Sequence, residues 1–176
     1  MRIAILDYDD TLFPTTSYLQ YEKDNRLDSF KREMAEIDQR LCSFLERLEK
    51  KYKIVIVSNG EYRWIIESAT EYMPYVARKF KDYQIVSARD AYGNTMDENY
   101  ELWKPSAIMH YVTDPQIAKS VTNIMGIGDS KNDREAIVQA SSYIGKPYVF
   151  FYLRSGLEPK QLLSSLNDIE RWIAQS

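Results

Sequence analysis

The sequence predicts an α/β fold, a three-layer sandwich in which helices cover both faces of a mostly parallel sheet. Short apolar runs without alternating polar residues recur along the chain, as in strands buried on both faces. Segments with helical periodicity separate these runs. A chain of 176 residues is long enough for one compact domain and too short for two ordinary ones. Because no Gly/Ser-rich linker divides it, we expect a single domain over residues 1–176.

The elements follow in order from these patterns. The predicted strands are residues 3–6, 54–57, 85–86, 124–127 and 148–153. The clearest helical pattern begins near Asp28, where apolar residues recur at spacings of three and four. Further helices are expected over residues 61–73, 105–112 and 159–174, and from near Asp133. Pro105 is expected to mark a helix start, because proline is favoured in the first turn. Residues 13–27 and 89–103 are expected to be loops.

The composition excludes several classes of protein. A hydrophobic fraction of 44% with mixed charges is typical of soluble globular proteins. The formal net charge of −3 disfavours nucleic acid as the main partner, because that binding depends on clustered Lys and Arg. No apolar stretch approaches the roughly 20 residues that span a bilayer, and no signal-peptide pattern is visible. We therefore expect an intracellular, cytoplasmic protein without a membrane partner.

The stretch LDYDDTLFP places three aspartates directly after the first apolar run. Because side chains alternate along a strand, Asp7 and Asp9 are expected to point the same way and Asp10 elsewhere. Tyr8, between the first two, is expected to point into the fold. In parallel α/β sheets the loops at the carboxyl ends of the strands build the site. Asp7 and Asp9 are therefore candidate site residues.

Three further motifs supply polar groups at the ends of predicted elements. GIGDSKND provides Asp129 and Asp133, VIVSNG provides Ser58, and WKPSAI places Lys104 directly before a predicted helix. Taken singly, each is common as a solvated turn, a helix cap or a surface lysine. Their specific signal is the combination of complementary groups at several strand ends.

The charges of these candidates indicate a divalent cation. Four carboxylates face a single cation, Lys104, so a cleft that gathers them would be destabilised without added positive charge. Hard oxygen ligands at a small site that keeps some waters favour Mg²⁺. The Ser58 hydroxyl and the amides of Asn59 and Gly60 offer donors to an anion at a helix N-terminus. A magnesium ion, an anion seat and two carboxylates with different roles indicate phosphoryl transfer.

At these residues the sequence resembles the haloacid dehalogenase-like (HAD) superfamily, whose four motifs appear in order between Asp7 and Asp133. The resemblance implies a Rossmann-like sheet with strand order 5-4-1-2-3. In the DxDxT motif it makes Asp7 the nucleophile that takes the phosphoryl group and Asp9 the general acid/base. Thr11 closes that motif beside the phosphate.

The resemblance also implies ligands for the phosphate and the metal. Lys104 matches the cation that bridges nucleophile and phosphate. The implied phosphate-binding residues are Thr11, Ser58, Asn59, Gly60 and Lys104. The implied Mg²⁺ ligands are Asp7, the backbone carbonyl of Asp9, Asp129, and Asp133 directly or through a water.

The second acid of the first motif narrows the reaction. Family dehalogenases lack it and family ion-pumping ATPases carry threonine there, so Asp9 resembles that of a phosphatase or phosphotransferase. Asp10 stands where the commonest form has glycine, and we expect it to cap the turn. The implied activity is Mg²⁺-dependent hydrolysis of a phosphate monoester through an aspartyl-phosphate.

Other functions stay open at the level of sequence. A phosphotransferase or phosphomutase of the same superfamily would use the same groups, and a non-catalytic HAD-like binding or scaffold protein could retain them. A receiver domain is disfavoured, because it would need an acidic residue at the end of a middle strand before Ser58.

The spacing of the motifs leaves no room for a large cap domain, which in HAD enzymes covers the site. Residues 13–27 and 89–103 would then act as a minimal cap or lid. An open site suits a phosphorylated small molecule or a phosphoprotein. A second subunit could also cover it.

Overall fold

A five-stranded parallel sheet forms the centre of the protein. The computed structural model describes residues 1–96 and 98–176. The strands are β1 (Arg2–Leu6), β2 (Lys53–Ser58), β3 (Gln84–Ser87), β4 (Asn123–Gly128) and β5 (Tyr148–Tyr152). Their order is β3-β2-β1-β4-β5, and every neighbouring pair is parallel. This order is 5-4-1-2-3 read from the other edge, so the predicted sheet is confirmed.

Helices cover both faces of the sheet, which confirms the three-layer architecture. Apart from a short 3-10 turn at Phe80–Asp82, they are α1 (Thr15–Lys23), α2 (Leu27–Glu49), α3 (Tyr62–Tyr72), α4 (Pro74–Lys79), α5 (Ala88–Tyr92), α6 (Tyr100–Thr113), α7 (Pro115–Ser120), α8 (Lys131–Ile144) and α9 (Pro159–Gln175). Helices α2 and α9 pack together over one face, and α6 and α8 pack together over the other.

The continuous apolar run of β1 reflects burial on both faces. Ala4 and Leu6 pack in the core beneath α2 and α9. Ile3 and Ile5 pack in the opposite core, beneath α6 and α8. Since burying one such large side chain stabilises the fold by about 1.5–3 kcal/mol, the central strand is held from both sides. Its carboxyl end therefore has a fixed position for the residues that follow.

The two segments predicted as loops are partly helical. Residues 13–27 contain α1, and residues 89–103 contain most of α5 and the first turn of α6. Residue 97, inside the second segment, lies outside the described residues. The part of the chain that the structure describes carries no large cap, as expected. Nor does it contain a helix that combines the length and the apolar character needed to cross a bilayer.

The predicted helix start at Pro105 was wrong. Helix α6 begins at Tyr100, so Pro105 and the preceding Lys104 both lie inside it. Proline has no N–H, and the carbonyl four residues earlier therefore loses its helical partner. That carbonyl belongs to Glu101, and Asn132 Nδ2 donates to it at 3.1 Å. A side chain in the first turn of α8 thus compensates for the proline and links α6 to α8.

Replacing Asn132 with alanine is expected to lower the free energy of unfolding by about 1 kcal/mol, the usual net contribution of one hydrogen bond. Thermal unfolding should show a fall in Tm of about 2–4 °C. Pro105→Ala provides the matched background, because alanine returns an N–H to the Glu101 carbonyl. In that background Asn132→Ala should lower the free energy of unfolding by substantially less. An equal cost in both backgrounds would contradict this role for Asn132.

Candidate functional site at the carboxyl edge of the sheet

Asp7 continues the central strand into the site. Its backbone N–H donates to the Ile127 carbonyl on β4 at 2.9 Å, so its position is fixed by the sheet. Its Oδ1 accepts from the Tyr8 N–H at 2.8 Å and from Lys104 Nζ at 2.9 Å. Thr11 Oγ1 donates to Oδ2 at 3.5 Å. Asp7 is only 7% exposed, so burial and these donors hold its carboxylate in one orientation.

The turn after Asp7 is organised around Tyr8. As expected, Tyr8 is buried, and its hydroxyl pairs with Ser68 Oγ at 2.7 Å. Its carbonyl accepts from the N–H groups of three following residues, Thr11, Leu12 and Phe13. The chain therefore forms a tight turn here, and Asp7 and Asp9 lie on either side of Tyr8, which these hydrogen bonds hold in place.

Asp10 caps this turn, as predicted. Its φ of 56° lies in the left-handed region, which Asp tolerates better than most residues. Its carboxylate accepts from the Thr16 N–H at 2.9 Å and from Thr16 Oγ1 at 2.5 Å. Asp10 therefore supports the start of α1.

Lys104 bridges two buried carboxylates. Its Nζ donates to Asp7 Oδ1 at 2.9 Å and to Asp133 Oδ1 at 2.5 Å. Lys104 is 6% exposed and Asp133 is 4% exposed. Burial lowers the pKa of Lys104, but the charges of Asp7 and Asp133 outweigh it and hold that pKa above its usual value. The lysine is therefore a fixed positive charge inside the site.

The positive charge of Lys104 does not balance the acids around it. Burial raises the pKa of the Asp7 carboxyl well above its usual value; Lys104 opposes this rise and Asp133 adds to it. Asp7, Asp129 and Asp133 each offer a carboxylate oxygen, and these oxygens lie within 4.8 Å of one another. Three carboxylates thus share one ammonium, which favours binding of a cation.

The donor set fits Mg²⁺, which prefers carboxylate oxygens and retains water ligands. Asp133 belongs to the capping box at the start of α8, and its Oδ2 accepts from the Ser130 N–H at 3.1 Å. Its Oδ1 is already held by Lys104. A cation would therefore meet Asp133 through water or compete with these donors. Asp129 is half-buried and accepts from Ser155 Oγ at 2.5 Å.

Residue 128, directly before Asp129, has room only for glycine. A Cβ at residue 128 would lie 2.5 Å from Asp133 Oδ2 and 2.8 Å from Asp133 Cβ. A side chain here would displace the Asp133 carboxylate. The glycine in the motif GIGDSKND therefore serves a packing role.

Asp9 faces the end of β2. Its Oδ2 accepts from Ser58 Oγ at 3.0 Å. Its Oδ1 accepts from Thr15 Oγ1 at 2.6 Å and from Trp64 Nε1 at 2.9 Å. Neither contact was predicted from the sequence, because Thr15 lies in a segment expected to be a loop and Trp64 lies in a predicted helix far from the DxDxT motif.

The predicted anion seat lies in the turn between β2 and α3. Ser58 is fully buried, and its Oγ accepts from the Gly60 N–H at 3.0 Å. The side-chain oxygen of Asn59 is buried without a partner among the described residues. Helix α3 begins only at Tyr62, whose N–H donates to Asp90 Oδ2 at 2.8 Å. The predicted anion site is therefore a turn that precedes α3. At the N-terminus of α3, the Tyr62 N–H is already bonded to Asp90.

The structure thus brings the predicted residues into two adjoining groups. One contains Asp7, Thr11, Lys104, Asp129 and Asp133. The other contains Asp9, Ser58 and Gly60. Leu6 on β1 pairs with Ile56 on β2 and with Ile127 on β4, so both groups lie at the same edge of the sheet.

Comparison with protein-family models, curated proteins and solved structures finds no match to this chain. The likeness to the HAD superfamily therefore depends on the motif residues themselves.

Proposed function

We propose that the protein is a Mg²⁺-dependent phosphatase that hydrolyses a phosphate monoester through an aspartyl-phosphate on Asp7. The observation that carries the proposal is the different surroundings of two acids only two residues apart. Asp7 is buried against Lys104 and beside two further carboxylates. Asp9 instead meets the hydroxyl of Ser58. One acid is suited to attack phosphorus and the other to exchange a proton.

Asp7, the backbone carbonyl of Asp9, Asp129 and Asp133 would hold the Mg²⁺ ion. When bound, this ion supplies positive charge that favours the ionised form of Asp7 and offsets the charge of the phosphate. Lys104 supplies a second positive charge 2.9 Å from Asp7 Oδ1, where the oxygens of an incoming phosphate would lie. The Lys104 ammonium is already oriented by Asp7 and Asp133 before the substrate binds, and such preorganised charge is the usual source of electrostatic catalysis.

The two acids divide the reaction between them. Asp7 attacks phosphorus and forms the O–P bond, while Asp9 gives its proton to the departing oxygen as the ester bond breaks. Asp9, now a carboxylate, takes a proton from the water that attacks the aspartyl-phosphate. The bond from Asp7 to phosphorus then breaks and inorganic phosphate leaves. Ser58 and Thr11 would donate to the phosphate oxygens, in place of their hydrogen bonds to Asp9 and Asp7.

The proposed substrate is a phosphorylated small molecule or a phosphoprotein. Support comes from the absence of a large cap among the described residues: in the segments where a lid was expected, they form α1, most of α5 and the first turn of α6. A screen of phosphorylated metabolites and phosphopeptides with Mg²⁺ distinguishes the two classes.

A magnesium titration followed by thermal unfolding tests the metal site. Mg²⁺ should raise the Tm, because a ligand at about 100 times its Kd stabilises the folded state by about 2.7 kcal/mol. Asp129→Asn should lose most of this rise. Glu135→Gln is the matched control, because Glu135 forms only a surface ion pair with Lys131 and should keep the full rise. An equal rise in Asp129→Asn would contradict the proposed ligand set.

A further inference from the structure

The proposed acid/base, Asp9, has one carboxylate oxygen held by two donors from different elements. Thr15 Oγ1, on α1, lies 2.6 Å from Asp9 Oδ1, and Trp64 Nε1, on α3, lies 2.9 Å from it. An indole N–H can only donate, so Oδ1 must remain an acceptor. The proton that Asp9 exchanges therefore belongs to Oδ2, the oxygen that faces Ser58.

Neighbouring side chains pack against two sides of the half-buried Trp64 ring. Its ring meets Phe13 edge-on at 5.6 Å and lies 5.4 Å from the ring of Tyr18. On the other side, a Cβ at residue 60 would lie 3.1 Å from Trp64 Cδ1 and 3.0 Å from Asp9 Oδ2. The indole thus lies between the rings of Phe13 and Tyr18 on one side and the Ser58–Gly60 turn on the other. Groups held by packing in this way give reproducible geometry at a site.

We propose that Trp64 is a positioning residue for the acid/base: its indole N–H anchors Asp9 Oδ1 so that Oδ2 stays aimed at the departing oxygen. This inference rests on the proposed phosphatase function. When a phosphate binds, the Ser58 hydroxyl turns to it and releases Oδ2, while Trp64 and Thr15 keep Oδ1 in place. As the ester O–P bond breaks and Asp7 forms its bond to phosphorus, the proton moves from Oδ2 to the departing oxygen. Trp64 acts through Asp9.

The positioning role predicts an effect that depends on the leaving group. A nitrophenolate departs without a proton, whereas an alkoxide needs one, and general acid catalysis contributes about 10²–10⁴-fold. Trp64→Phe should therefore lower kcat/KM for an alkyl phosphate by about 10–100-fold. For 4-nitrophenyl phosphate the fall should be less than about 3-fold, because kcat/KM reports only steps up to the transfer onto Asp7.

Two further variants separate the hydrogen bond from the packing. Replacement of Trp64 by its sulfur isostere, benzothienylalanine, keeps the ring shape and removes the N–H, and should reproduce the selective loss. Trp172→Phe is the matched control, because Trp172, in α9, packs on Phe151 of β5 and is 40% exposed. The Trp172→Phe variant should keep the wild-type kcat/KM for both the alkyl and the aryl phosphate. Equal losses for alkyl and aryl phosphates, or full activity in the isostere, would overturn the inference.

A measurement without turnover tests the contact itself. In a ¹H–¹⁵N spectrum of the whole protein, the indole N–H of Trp64 should exchange more slowly than that of Trp172 and should shift in Asp9→Ala. Exchange as fast as that of Trp172 would overturn the inference whatever the activity. A wild-type protein without Mg²⁺-dependent turnover would overturn the proposed function and this inference with it. If the wild-type protein is active, the comparison of kcat/KM for alkyl and aryl phosphates tests the role of Trp64 alone.

Discussion

Replacing Asp7 with asparagine is expected to abolish Mg²⁺-dependent turnover of an aryl phosphate, a loss on the order of 10⁴-fold or more. The amide has nearly the same shape but is neutral and a poor nucleophile. It also removes one candidate metal ligand. Metal-free Asp7→Asn should be at least as stable as the wild type, because one of three clustered carboxylates is gone. Steady-state kinetics and thermal unfolding of the same sample measure both effects.

Asp10→Asn is the control for this variant. Asp10 caps the turn through Thr16, and asparagine also tolerates its positive φ of 56°. Turnover should therefore be close to that of the wild type. Full activity in Asp7→Asn would end the assignment of Asp7 as nucleophile. A loss of activity in Asp10→Asn as large as in Asp7→Asn would mean that local charge or folding explains the result.

Lys104→Met is expected to lower the metal-free free energy of unfolding by about 3 kcal/mol, because it leaves buried carboxylates without their cation. Lys104 donates to both Asp7 and Asp133, and all three side chains are less than a tenth exposed. Turnover should also fall, since a positive charge beside the phosphate is lost. The rise in Tm on adding Mg²⁺ should be larger than in the wild type, because the ion then replaces the missing charge.

The double variant Lys104→Met/Asp133→Asn tests the electrostatic cause. Neutralising Asp133 removes one of the two carboxylates left unpaired, so the double variant should recover part of the lost stability. Urea unfolding at fixed pH gives the coupling free energy between the two positions. Equal stability of the single and double variants would show that Lys104 contributes through packing alone.

The sheet could be predicted because its signal is local. Strands buried on both faces must be apolar at successive positions, as the packing of Ile3, Ala4, Ile5 and Leu6 in alternate cores shows. The positions of Asp7 and Asp129 followed from the same rule, because each directly follows the last residue of a strand. The strand order, which the family resemblance implied, is confirmed.

The errors arose where distant contacts decide the local structure. Helix α1 has no regular apolar face; Tyr21 is buried against Phe30 of α2 and Tyr18 packs on Trp64 of α3. Helix α6 continues through Pro105 because Asn132, far along the chain, donates to the freed carbonyl. Sequence spacing alone contains no trace of either contact.

The same limit applies to the surroundings of Asp9. Its two Oδ1 donors come from α1 and α3, at positions 15 and 64. Only the fold brings a threonine hydroxyl and an indole N–H to the same oxygen. The motif predicted the acid but could not predict its anchors.

Trapping of the covalent intermediate tests the central claim most directly. The Mg²⁺-loaded protein is mixed with a ³²P-labelled aryl phosphate, quenched in acid within one turnover, and digested for peptide mapping. We expect one labelled peptide with an acyl-phosphate on Asp7 that hydroxylamine removes, and no label in Asp7→Asn. Turnover without any labelled protein, or label on a residue other than Asp7, would contradict the proposed reaction.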